Sequence, residues 1–198
     1  MTSKGQKIFL IRHGETEWSR LGRHTGTTDL PLTDNGRAAA EALRPLIAAE
    51  SFAAVFTSPL KRAQQTCELA GLGDVAQIDP DLMEWNYGAY EGRTTADIQA
   101  ERPGWVIFRD GCPGGDTPAR VAARAERVIA RVRVIDGDVA LFSHGHFSRV
   151  FAARWIELPA AEGAHFLLDT STLCVLGYYG DAPAIQIWNA PLPNRSSF

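Results

Sequence analysis

Long apolar runs are missing from this chain. No window approaches the roughly 18 residues that a membrane span requires. The opening, MTSKGQKIFLI, holds an apolar run of only four residues, too short for a signal peptide. Cysteine is scarce. Cys67, Cys112 and Cys174 make an odd number with no CxxC pair and no zinc spacing, which argues against a disulfide scaffold and sets the expectation of a reducing, cytoplasmic setting. An excess of positive charge is also missing: 20 Lys and Arg stand against 23 Asp and Glu, a net charge of −3, so no global basic field recruits nucleic acid or an anionic membrane. Any anion site must therefore be local. The glycines form neither GxxxxGK[ST] nor GxGxxG, which argues against a nucleoside-triphosphate machine. No repeat occurs, and only the polar tail PLPNRSSF is expected to fray.

What is present is the composition of one ordinary globular domain, 198 residues with 45% hydrophobic and 22% charged. Short apolar runs at 7–11, 53–57, 75–79 and 138–143 read as buried strands. Helical patterns lie between them. Thr33 or Asp34 caps one running to about Glu50, which Pro45 should bend or interrupt. A second runs over 59–71, from Pro59 to Gly71. The clearest spans 116–135, with Val121, Ala125, Val128, Ile129 and Val132 in one stripe. A fourth, 146–158, follows the last of those strands directly. LCVLGYY and AIQIWN flank Gly180-Asp181, which reads as a closing antiparallel hairpin. Strand alternating with helix predicts a three-layer α/β/α sandwich, its central sheet mostly parallel with antiparallel pairing near the C-terminus.

In such a sheet the strand C-termini share one rim, where ligands bind. Arg12-His13-Gly14 follows the first strand, Ser58 and the helix carrying Arg62 follow the second, and His144-Gly145-His146 follow the fourth. Two guanidiniums can grip a phosphate with forked hydrogen bonds, and the helix beginning near His146 would add N–H groups and the positive end of its dipole. Cations around His13 would push its pKa down and leave a neutral, nucleophilic imidazole able to attack phosphorus in line. A departing alkoxide needs a proton donor. Glu84 and Glu91, in DLMEWNYGAYEG, are the candidates, and spacing does not choose between them.

LIRHGETEW, SPLKRAQQT, EWNYGAYEG and SHGH, in this order, resemble the histidine phosphatase superfamily, also called phosphoglycerate mutase-like, from about Ile8 to Trp188. The resemblance implies residue-specific roles. His13 would be the phosphorylated nucleophile. Arg12, Arg62 and His144 would complete the phosphate pocket, with Ser19, Thr25 and Gly26 on the loop lining it and the N–H of Gly145 as a further contact. Glu84 would be the proton donor and then the base that activates water. It implies no metal and no cofactor, and a small phosphorylated metabolite as substrate.

EWNYGAYEG, WVIFRDGCPGGDT and SHGHFSRVFAARW are similar to the bacterial acid phosphatase branch and to sedoheptulose-bisphosphatase-type sugar phosphatases. The mutases of the family carry Glu-Arg-His-Tyr where this chain has Glu84-Trp85-Asn86-Tyr87, and a longer insertion than the one at about 92–117, expected here to lie over the active site of a single domain, 1–198. Asp116, in Gly-Gly-Asp-Thr, stands where relatives usually carry Glu. A cofactor-dependent phosphoglycerate mutase and a phospho-ligand-binding pseudoenzyme are the alternatives.

Each residue also has a plainer reading. His13 as a core histidine is disfavoured beside Arg12. His144 and His146 have metal-ligand spacing, but no third ligand motif such as HExxH accompanies them. Arg62 reads equally well as an exposed helix residue. His24 sits near the expected pocket mouth without a catalytic role, and His165 has only a local one. Trp85, Tyr87, Trp105 and Phe108 divide between core and pocket wall. Cys67 and Cys112 are structural. An exposed edge strand would leave room for a homodimer.

Overall fold

The computed structural model describes residues 5–190; the tail expected to fray lies outside them. The strands are β1 (Ile8–Arg12), β2 (Phe52–Thr57), β3 (Ala76–Ile78), β4 (Asp138–Ser143), β5 (Leu173–Tyr179) and β6 (Ala182–Ala190). The helices are α1 (Glu17–Arg20), α2 (Asp34–Glu41), α3 (Arg44–Ala48), α4 (Lys61–Leu69), α5 (Thr95–Glu101), α6 (Ile107–Asp110), α7 (Pro118–Val132) and α8 (Gly145–Trp155). The six strands form one sheet in the order β3-β2-β4-β1-β5-β6. The first four strands in that order run parallel, and β5 and β6 are antiparallel to their neighbours.

The side-chain period of two in β1 builds both faces of this sheet. Ile8 and Leu10 point into one core, where Val121, Val128, Phe147, Phe151 and Trp155 of α7 and α8 pack. Phe9 and Ile11 point into the other, against Leu43, Ile47, Cys67 and Ala70 of the α2–α4 layer. A strand buried on both faces must be apolar throughout, and β1 is.

Helix boundaries follow their caps. Thr33 caps α2 by accepting from the Gly36 N–H at 3.0 Å, and the pattern breaks before α3, which opens with Pro45 in its first turn. Pro45 thus separates two helices rather than bending one. Pro59 lies outside α4, whose N-cap is Leu60. Thr117 caps α7 with Pro118 at its start, and the five stripe residues of α7 are its buried ones.

The rim is assembled by register. Arg12 of β1 pairs with Ser143 of β4, so Arg12-His13 and Ser143-His144 leave the sheet side by side, and the His13 N–H donates to Ser143 O at 3.0 Å. Beside them Ser58 N–H donates to Phe142 O at 3.0 Å as β2 ends. Backbone bonds thus join three chain segments that are far apart in sequence. The segment 92–117, with α5 and α6, is tied to the loop after α1: His24 N–H donates to Arg93 O and Gly92 N–H to His24 O, both at 2.9 Å.

Candidate active site

The rim opens into a cavity of about 200 Å³ whose wall includes Arg12, His13, Ser19, Thr25, Glu84 and Gly145. Six of the residues expected from sequence therefore meet in one place. Arg62, His144 and Gly26 do not reach the wall; they stand directly behind it.

His13 is 5% exposed, and its Nδ1 lies 2.7 Å from Gly14 O. A carbonyl only accepts, so Nδ1 carries the proton and Nε2 keeps its lone pair. Burial lowers the His13 pKa well below its ordinary value, with the Arg62 and Arg12 cations adding to the effect. The direction agrees with the sequence reading, but desolvation outweighs the charges that suggested it.

Arg62 is fully buried rather than exposed on its helix. Its NH2 group donates to Thr25 O at 3.0 Å and Gly26 O at 2.9 Å, its NH1 to Thr28 O at 3.0 Å, and its Nε to His144 Nδ1 at 3.1 Å. Arg62 therefore staples the loop behind the wall. His144, accepting at Nδ1, must carry its proton on Nε2, which faces Ser58 Oγ at 2.7 Å. Burial and the Arg62 cation lower its pKa, and its ring centre lies 5.1 Å from that of His13. The two nitrogens of His144 are thus engaged, and Nδ1 of His146 faces Tyr87 Oη at 2.6 Å. The pair points to separate partners rather than to one metal. Among the described residues no cluster of three His, Cys, Asp or Glu could hold a metal ion.

With Arg23 and Arg149, Arg12 is one of the cations that line the cavity. Its NH1 donates to Leu168 O, while its buried Nε has no partner among the described residues. A Cβ added at Gly145 would come within 3.2 Å of the Arg12 guanidinium carbon, so glycine is what lets the guanidinium lie against the start of α8. Burial lowers the Arg12 pKa from its ordinary value. A guanidinium on the wall of a cavity favours an anion there.

Glu84 takes the position that the sequence reading gave to phosphate. Its Oε1 accepts from Trp85 N–H and Phe147 N–H, both at 2.8 Å, and its Oε2 from His146 N–H at 3.0 Å. The first turn of α8 is thus taken up largely by a carboxylate of the chain itself, although the Gly145 N–H donates to no protein group among the described residues. Glu91 is elsewhere: its carboxylate receives Gly26 N–H at 2.9 Å and Thr28 N–H at 3.0 Å, holding the loop that Arg62 staples. The Ser19 hydroxyl is engaged locally, donating to Thr16 O at 3.0 Å and accepting from Thr16 N–H at 2.9 Å. Trp85 is fully buried, and Asn86 turns its Oδ1 to Gly88 N–H, so neither brings a cation to the cavity.

Arg149 escaped the sequence reading, whereas His24, expected near the pocket mouth, is on the wall. Arg149 lines the cavity with its guanidinium 4.4 Å from the Phe108 ring centre, and burial lowers its pKa to about 10. Its spacing of five residues from His144 in SHGHFSR was the available signal. His24 stacks on Tyr87 with ring centres 4.8 Å apart and is lowered by burial to about 4. An annex of about 170 Å³ adjoins the cavity, sharing His24, Thr95, His146 and Arg149 with it and adding Trp105, Ile107 and Phe108 from the 92–117 segment. Of the aromatic residues divided between core and wall, Trp85 belongs to the core and Tyr87 to the wall, while Trp105 and Phe108 line the annex.

A neutral imidazole facing a cation-lined cavity beside a carboxylate is a phosphoryl-transfer site. The sequence model of the histidine phosphatase superfamily (branch 1) matches residues 8–191, and the chain belongs to that family. An acid phosphatase of Mycobacterium tuberculosis is 41% identical over 182 residues, covering 90% of this chain and 89% of that protein. Sedoheptulose 1,7-bisphosphatase of Saccharomyces cerevisiae is 37% identical over 191 residues, covering 80% and 70%. The solved structure of a Mycobacterium tuberculosis open reading frame product superimposes with a TM-score of 0.89 at 39% identity, covering 93% of this chain and 97% of that one.

Proposed function

We propose that the chain is a phosphatase of small phosphorylated metabolites that works through a phosphohistidine on His13. The observation that carries this reading is the His13 tautomer: Nδ1–H donates to Gly14 O, leaving the Nε2 lone pair as the nucleophile. In the first step Nε2 forms a bond to phosphorus, the bond from phosphorus to the ester oxygen breaks, and a protonated Glu84 gives its proton to the departing alkoxide. The Gly14 carbonyl keeps its hydrogen bond as the ring becomes cationic. In the second step the Glu84 carboxylate takes a proton from water, the oxygen attacks phosphorus, and inorganic phosphate leaves with His13 neutral again.

Arg12 and the Gly145 N–H contact the transferring group, Ser19 and Thr25 shape the wall, and Arg149 adds positive charge. Arg62 acts through position: it holds Thr25 and Gly26 in place and fixes His144 behind the nucleophile. His144 supports charge on the transferring group from there. The alcohol portion of the substrate extends into the annex, which makes the 92–117 segment the part of a single catalytic domain that sets selectivity. The reading requires no cofactor and no nucleic-acid or membrane partner. Three free, buried cysteines support a cytoplasmic location. The edge strand β6, with Ile187 exposed, is the surface on which a homodimer would form.

The test is hydrolysis of a generic aryl phosphate by the wild type and by His13→Ala. Loss of phosphate release in the variant is expected; undiminished turnover ends the reading.

A further inference from the structure

Three arginines of α7 reach the segment 79–84, which carries Glu84. Arg124, Arg127 and Arg131 stand three and four residues apart, on one side of the helix. Arg127 and Arg131 bind the carboxylates of Asp79 and Asp81 from partly exposed positions, where ion pairs contribute little. Arg124 is different. Its side chain is 15% exposed and donates to three backbone carbonyls of the segment: Asp81 O at 3.1 Å, Met83 O, and Glu84 O at 3.1 Å.

The fourth bond of that guanidinium goes to Asp116 Oδ2 at 3.2 Å, and the same oxygen receives Asn86 N–H at 3.0 Å. Asp116 is further locked to the segment by its own backbone, which donates to Asn86 O at 2.7 Å and accepts from Trp85 Nε1 at 3.1 Å. The guanidinium also lies 5.1 Å from the ring centre of Phe147, whose N–H binds the Glu84 carboxylate. One planar fork thus touches the backbone end of Glu84 and the residue that holds its carboxylate end. Only arginine offers four N–H bonds in that spread; an ammonium is a single point.

We propose that Arg124, held by Asp116, is a positioning residue that sets the Glu84 carboxylate at the oxygen of the leaving alcohol. The proposal rests on the phosphatase reading above. It accounts for Asp116, whose carboxylate serves the clamp rather than the cavity, and it makes a prediction that a merely structural role does not. Misplacing a proton donor harms esters of poor leaving groups and spares those whose leaving group departs without a proton.

The experiment compares kcat/KM for p-nitrophenyl phosphate and for glycerol phosphate in the full-length protein. Arg124→Gln should lose at least about tenfold on the alkyl ester, the low end of a general acid's contribution after partial displacement, and less than about threefold on the aryl ester. Asp116→Asn should shift the ratio in the same direction, and Asp116→Glu should restore it. Arg127→Gln, on the same helix and segment but without contact to Glu84, should leave the ratio at the wild-type value. Equal losses on both esters, or a folded Arg124→Gln with the wild-type ratio, overturn the proposal. Should Arg124→Gln fail to fold, the Asp116→Asn ratio decides in the same way. A wild type that hydrolyses neither ester removes the phosphatase reading itself, and the clamp with it.

Discussion

Arg62 Nε donates to His144 Nδ1 across 3.1 Å, directly behind the residues that line the cavity. The bond fixes the His144 tautomer and places a buried cation behind two imidazoles. The same guanidinium closes three carbonyls of the 25–28 loop. Arg12, by contrast, lines the cavity and among the described residues has a single hydrogen bond to the protein, from NH1 to Leu168 O, while its buried Nε has no partner. The two arginines should therefore fail differently. Arg62→Ala leaves buried acceptors unpaired and should cost about 3 kcal/mol in urea unfolding, together with activity. Arg12→Ala should reduce kcat/KM while leaving stability within about 1 kcal/mol. Equal stability losses would show that Arg12 is as structural as Arg62.

The His13 ring should stay neutral where an ordinary histidine becomes charged. Its pKa is lowered, so the reactive neutral form persists as pH falls through 6.5. In a proton–carbon NMR titration, the ring signal lost in His13→Asn should show no midpoint near 6.5. A midpoint there would mean that burial and the two cations do not act on this ring as the geometry implies.

Stability should decline toward acid for a related reason. His13, His24, His144 and His146 all have folded pKa values below the unfolded 6.5, with His24 at about 4. Below 6.5 the unfolded chain binds protons that the folded one refuses. Unfolding is thus favoured as pH falls, with the His24 share lost progressively down to about 4. His24→Gln should lose less stability than the wild type between about pH 7 and about pH 5 in urea unfolding. An identical loss in both proteins would remove His24 from the account.

Glu84 and Glu91 should separate by leaving group. Glu84→Gln removes the proton donor of the first step and should cost about 10²- to 10⁴-fold in kcat/KM on alkyl esters and far less in kcat/KM on p-nitrophenyl phosphate, while kcat falls for both because the second step loses its base. Glu91 holds the Gly26 and Thr28 N–H groups, so Glu91→Ala should depress both substrates alike and raise KM as the loop loosens. A leaving-group dependence in Glu91→Ala would reverse the assignment.

The fold was legible in the sequence because local patterns carry it. The alternating side chains of β1, the stripe on α7 and the Gly180-Asp181 hairpin each write their own structure into a few neighbouring residues. Pro45 signalled a break in the helix pattern, and the structure resolves it as two helices. The placement of the cations was less legible. Arg62 and Arg12 look alike in sequence, yet one faces backbone carbonyls and the other the cavity, a difference made by the 25–28 loop folding back from far along the chain. The α8 N-terminus was read as an anion site, which it is, but its main anion is Glu84, some sixty residues upstream. The same long-range closure hid Arg149 and the contacts of Asp116 with Arg124 and Asn86.

The central claim is a covalent one: the phosphoryl group passes through Nε2 of His13. Rapid acid-free quenching during turnover of p-nitrophenyl phosphate, followed by peptide mapping and phosphorus NMR, reads this directly. The account predicts a transient, acid-labile phosphoryl group on the His13 peptide at Nε2, absent from Arg12→Ala-slowed blanks without substrate and accumulating in Glu84→Gln. Turnover at full rate with no phosphoryl group on that peptide, or with the group on another residue, would contradict it.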